Sequence, residues 1–175
     1  MADILPEKWM RGVAVTTTVL AVLTAIASSR AAHSVAVSQI LTAQEGSQWA
    51  YYQAKSVKEN LAETQRGIFE VEFLGATTPS QKTLLEKNLG AAQSLIARYE
   101  QEKDQIKKEA EDIGKENNKI RREGDQFNLS VVFFQIGIML SSVSALLKRK
   151  EMWVIGVLFG CIAAVFLVDG IFLFF

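Results

Sequence analysis

One cysteine, one histidine and two prolines stand in the 175 residues, and 19 basic groups balance 19 acidic ones. A single Cys cannot build a disulfide framework, and with one His it leaves too few soft ligands for a zinc site. Zero net charge lacks the basic excess of a nucleic-acid binder, so no nucleic-acid partner is expected. There is no Glu-x-x-His pair and no phosphate-cradling glycine loop. The sequence therefore asks for no metal and no cofactor, and an enzyme is its least supported class. Proline is scarce in an ordered way: Pro6 precedes the first apolar segment and Pro79 opens a helix after a turn, so neither interrupts one.

The charge balance hides a strong segregation. Segments 12–29, 126–147 and 152–175 contain one ionisable charge between them, Asp169, while charged residues make up a third of the rest. A hydrocarbon core of ~30 Å needs ~20 mostly apolar helical residues, and each segment approaches that length. The first is rich in Thr and Ser and ends in Ala25-Ile26-Ala27, which resembles a signal-peptidase site. The residues before it are as acidic as they are basic, which favours an uncleaved anchor. The expected fold is all-α integral membrane: three transmembrane helices, with a long antiparallel coiled-coil hairpin inserted between the first and second. Residues 1–29 form the first span, 30–125 the extramembrane hairpin, and 126–175 a two-helix membrane hairpin with its loop at 148–151.

Within the insert the break is Gly75-Ala76-Thr77-Thr78-Pro79-Ser80. Gly75 is expected to take left-handed geometry, and Thr78, Pro79 and Gln81 supply an N-cap, a first-turn proline and a capping-box partner. Uncharged residues recur in alternating steps of three and four on both arms, the mark of a coiled-coil seam. On the first arm they occupy 40, 43, 47, 50, 54, 57, 61, 64, 68 and 71. On the second they occupy 85, 89, 92, 96, 99, 103, 106, 110, 113, 117 and 120, with Lys103 and Asn117 as polar exceptions. Arms 30–75 and 80–125 have equal length, which sets Arg30 opposite Asp125 and Lys55 opposite Glu100. Surface pairs four apart, such as Asp104 with Lys108, Glu111 with Lys115 and Arg121 with Asp125, add small increments.

If all three segments cross, the amino terminus and the loop Lys148-Arg149-Lys150 share a side. Basic residues near the spans tie at five on each side, but short loops weigh more in the positive-inside rule. The amino terminus and short loop are accordingly expected in the cytoplasm, with the hairpin and carboxyl terminus outside.

The run Gln48-Trp49-Ala50-Tyr51-Tyr52-Gln53-Ala54-Lys55-Ser56-Val57-Lys58, with Phe133-Phe134-Gln135-Ile136 and Ala145-Leu146-Leu147-Lys148-Arg149-Lys150, resembles the domain of unknown function 4337 family of bacterial membrane proteins. The resemblance spans nearly the whole chain. It implies a bacterial envelope protein with no assigned activity; joined to the apolar segments and the charge placement, the expectation is a multi-pass protein of the bacterial inner membrane with its hairpin periplasmic.

Two groups of residues carry candidate chemistry. Trp49, Tyr51, Tyr52, Gln53, Lys55 and Lys58 lie off the expected first-arm seam, as do Phe69 and Phe73. Such aromatics pack against another copy of the hairpin, or else hold an anionic ligand beside lysines; exposed apolar patches favour the first. Gln135, Asp169, Thr17 and Thr24 are polar groups within the spans. Asp169 lies ~24 Å along its helix from Trp153, close to the far interface, where hydration is expected. Small residues at Gly156, Gly160 and Ala164 invite close helix packing, and His33 and Cys161 are expected to be a solvated residue and an inert thiol. The functional expectation is a non-enzymatic scaffold or interaction protein that homo-oligomerises in the lipid bilayer. The alternative is a small oligomeric channel or transporter with its pore lined by the first transmembrane helix.

Overall fold

A computed structural model describes residues 8–172 of the chain. Among these the protein is all-α, with three helices and no strand: α1 is Lys8–Gly75, α2 Pro79–Leu147 and α3 Lys150–Phe172. Each helix contains a stretch long and apolar enough to cross a membrane by length and composition. The expectations for Pro6 and for 173–175 fall outside the described residues.

The helix ends follow local chemistry. At the start of α2 the Thr78 and Gln81 side chains exchange hydrogen bonds with each other's backbone N–H groups, both 3.4 Å, which is a reciprocal capping box. Gly75 does not turn left-handed, contrary to expectation. Instead the Ala76 N–H donates to the Phe73 carbonyl at 3.3 Å, a tightened last turn that satisfies the helix end without positive φ. The left-handed residue is Lys148, with φ of 55°. Ser144 stabilises that turn: its hydroxyl donates to the Arg149 carbonyl at 2.8 Å, and its own carbonyl accepts from the Arg149 N–H at 3.2 Å.

The chain divides into two compact units, Met1–Gln39 with Asn117–Phe175, and Ile40–Glu116. In the first, Leu20, Phe134 and Ala163 form the core, one from each helix. Phe133 stacks on Phe159 and Phe166, with centroids 6.0 and 5.4 Å apart. Glycines set the helix spacing. A Cβ on Gly137 would meet the Gly156 carbonyl oxygen at 2.9 Å, and one on Gly160 would meet Leu20 at 2.7 Å. The small-residue face of α3 is thus used inside the bundle. Buried Ser130 crosses from α2 to donate to the Ala163 carbonyl at 3.0 Å, and Ser38 donates to Asn117 at 2.7 Å. At one end of the unit the Trp153 indole donates to the Thr16 hydroxyl, and Lys150 Nζ lies 6.0 Å from the Trp9 ring. The start of α1 and the 148–150 turn therefore lie together.

In the second unit the expected α1 seam is corrected. Positions 40, 43, 47, 50, 54, 57, 61, 64, 68 and 71 are all exposed. The residues that α1 buries or half-buries instead include 41, 45, 48, 52, 55, 59, 62, 66, 69 and 73, again in steps of three and four. On α2 the positions expected at the seam are buried or half-buried from 85 to 113. Contacts between the helices run in opposite sense along them: Glu45 lies against Gly114, whereas Lys55 and Glu59, further along α1, pair with Glu102 and Lys103, earlier in α2. Lys55 therefore meets Glu102, not Glu100. The real seam on α1 admits Glu45, Lys55, Glu59 and Arg66, because long charged side chains bury their stems and find partners at their tips.

Candidate functional site

The densest polar cluster lies midway along the second unit, where α1 brings Tyr51, Tyr52, Lys55 and Glu59 against Arg98, Tyr99, Glu102 and Lys103 of α2. Steps of three and four put Tyr52, Lys55 and Glu59 on one helical face, and the same spacing aligns Tyr99 with Lys103. Lys55 forms an ion pair with Glu102, and its ammonium lies 5.2 Å from the Tyr51 ring centroid and 5.5 Å from that of Tyr99. Arg98 Nε donates to the other Glu102 oxygen at 2.7 Å. Lys103 pairs with Glu59 and lies 5.6 Å from the Tyr52 centroid. Trp49 meets Tyr52 edge-on, centroids 5.7 Å apart. The side chains of Lys55 and Glu59 each retain only 12% of their exposure, so these charges are largely withdrawn from water.

The electrostatics follow from the pairing. The hydrogen bond to Glu102, with a smaller contribution from Tyr51, raises the Lys55 ammonium above its ordinary pKa against the opposing effect of desolvation. Lys55 first and Arg98 second hold the Glu102 carboxyl below the usual range. Glu59 raises Lys103 in the same way. Each cation of the cluster has its counter-ion within the unit. This is a closed network that fixes which residues of α1 meet which of α2, the use best attested for polar groups in a helical seam.

A model of the family described as Domain of unknown function (DUF4337) matches residues 9–173. The chain belongs to that family. The match takes in all three helices, so for a DUF4337 chain the apolar stretches and the charged insert are parts of one defining unit. No curated protein and no solved structure matches this DUF4337 chain.

The aromatic residues expected to await an outside cover are partly covered by the unit itself. Trp49 and Tyr52 are half-buried, as are Phe69 and Phe73, and Tyr52, Phe69 and Phe73 stand on the real seam. Tyr51, Gln53 and Lys58 remain exposed. Lys55, half of the suggested anion site, already holds Glu102. Sequence reasoning placed Lys103 and Tyr99 on the α2 seam but missed Glu59, Arg98 and Glu102. Their signal was the spacing Lys55 to Glu59 and Arg98 to Glu102, opposite charges four apart, read with the two helices antiparallel. Of the surface pairs, Lys115 bonds Asp112 at 2.8 Å and not Glu111, three residues back rather than four.

The polar residues of the apolar stretches do not converge. Thr17 and Thr24 donate to the carbonyls of Val13 and Leu20 in their own helix, both 2.7 Å, which satisfies the hydroxyls locally. Gln135 is exposed on the surface of its unit. Asp169 is buried, and the neighbouring Gly170 packs against Phe127; the expectation that Asp169 is hydrated is corrected, because the fold turns it inward. His33 and Cys161 are exposed. Among the described residues no three His, Cys, Asp or Glu side chains are grouped to hold a metal ion.

Proposed function

We propose that this DUF4337 protein is a multi-pass protein of the bacterial inner membrane whose working part is an extramembrane antiparallel coiled-coil hairpin, acting without catalysis as a homo-oligomeric scaffold or interaction device. Three helices of adequate length and apolarity support the anchoring. So does the belt of exposed Val15, Val19, Val22, Leu129, Val132 and Val165 around the first unit, which lipid would cover. The start of α1 and the 148–150 turn lie at one end of the first unit, and the basic short loop there supports a cytoplasmic amino terminus and a periplasmic hairpin.

One observation carries the scaffold reading. On the charged insert, outside any apolar span, Val57, Leu61, Ile68 and Val71 stand 68, 58, 52 and 71% exposed along one helix. An exposed row of large apolar residues, interrupted only by Thr64, marks an interaction surface. The test is the mass of the purified full-length protein in nanodiscs: an oligomer is expected, and a monomer at all protein concentrations overturns the homo-oligomer.

A further inference from the structure

α1 carries two heptad stripes within the second unit. One, through Leu41, Tyr52, Ala62 and Phe69, faces α2. The other, running 40–71 in unbroken steps of three and four, is uncharged and exposed throughout, and at 3.6 residues per turn its centre lies roughly 150° around the helix from the first. We propose that this second stripe is the seam of a parallel, in-register coiled coil between α1 helices of two copies of the chain. The proposal rests on the membrane-anchored homo-oligomer reading and names the surface that makes it.

The occupant follows from the chemistry of the stripe. Alternating three and four spacing over about five heptads matches another helix of the same supercoil, and neither a strand nor a globular face repeats with that period. The face must also be uncharged. On α2 the outer faces carry Glu86, Lys87, Arg98, Asp104, Lys107 and Lys108, whereas α1 offers the same stripe to its own copy, as a two-fold contact requires. Copies anchored at the same end of α1 in one bilayer point the same way, which makes the pairing parallel.

The flanks agree with this register. With Ile40 and Leu61 at a and Val57 and Val71 at d, the e and g positions from 39 to 74 hold two charges, Lys58 and Glu72. In a parallel dimer these face Gln53 and Gly67 of the other copy, so no like charges meet. A stripe of ~48 Å by one helix diameter of ~10 Å gives roughly 500 Å² per copy. The pair then reaches about the 1,000 Å² of a specific interface. Confinement to one membrane raises the effective concentration further.

The test is disulfide capture in native membranes from the full-length chain with Cys161→Ser. Val57→Cys and Thr64→Cys, both at d, should give covalent dimers under mild oxidation, since equivalent d positions approach within disulfide range. Glu63→Cys and Glu70→Cys, exposed and off the stripe, should give at least about ten-fold less, consistent with their Cβ atoms being out of reach. Leu61→Lys should shift the nanodisc mass to monomer while helicity is retained. Equal capture on and off the stripe overturns the proposal. An oligomeric wild type that is not captured at 57 or 64, and whose mass survives Leu61→Lys, also overturns it and leaves the homo-oligomer standing on another surface. A monomeric wild type removes both.

Discussion

Ala62 and Ala54 are eight residues apart on one helix and should respond oppositely to the same change. Ala62 is 4% exposed and faces α2, whereas Ala54 lies on the outer stripe and is exposed. Ala62→Leu forces three extra carbons into a filled seam, and overpacking of this kind costs about 1–3 kcal/mol. At Ala54 the same three carbons are added on an exposed face, helix propensity barely changes, and on the proposed interface they add apolar surface. Amide hydrogen exchange of the full-length protein, read on peptides from 40–116, reports the opening free energy of that unit. A loss of 1–3 kcal/mol raises the exchange rates of its protected amides about 5- to 150-fold. We expect that acceleration for Ala62→Leu, and unchanged or slower exchange for Ala54→Leu. The opposite pattern, with Ala62→Leu silent and Ala54→Leu disruptive, would refute the seam assignment and restore the register read from uncharged residues alone.

Three further outcomes are expected. Because Glu102 is held below its ordinary pKa, its contribution is present above the usual carboxylate value of about 4.3 and is lost as pH falls through the lowered one. The raised Lys55 and Lys103 contribute below about 10.4 and are lost only as pH rises through their raised values. The thermal midpoint of the insert, followed by circular dichroism, should therefore fall at acid pH. Glu102→Gln should flatten that fall, and an identical pH slope in wild type and variant contradicts the network. Gly137→Val drives a side chain into the Gly156 carbonyl, so it should destabilise the first unit by about 1–3 kcal/mol and lower its melting temperature in detergent; an unchanged melt counts against the packing. Thr78→Ala removes one half of the capping box and should cost about 0.5–2 kcal/mol, seen as faster exchange confined to the first turns of α2.

The sequence revealed the helices well, because their signals are local. Charge-free runs, the Thr78-Pro79-Gln81 start and the break before it need no knowledge of the partner helix, and α1 and α2 end where those signals lie. The α2 seam was equally readable, since α2 has one apolar stripe and its other faces are charged. α1 misled for a physical reason: it bears two heptad stripes, and the one packed on α2 contains Lys55, Glu59 and Arg66. Counting apolar residues favours the cleaner stripe, while the choice is decided by ion pairs to Glu102 and Lys103, more than forty positions away. The left-handed turn at Lys148 was hidden likewise, because it depends on Ser144 bonding across the turn and not on a glycine. Asp169 was read by its depth along a helix, which says nothing about which way it faces.

In the proposed arrangement three segments cross a bilayer and the insert stands on one side of it. Substituted-cysteine labelling in intact cells, on the Cys161→Ser background, tests this most directly. A membrane-impermeant maleimide should label Ser94→Cys in the insert without lysis, should label Arg149→Cys only after lysis, and should leave Val165→Cys unlabelled in both cases. Labelling of Val165→Cys by the aqueous reagent, or Ser94→Cys and Arg149→Cys responding alike before lysis, would contradict it.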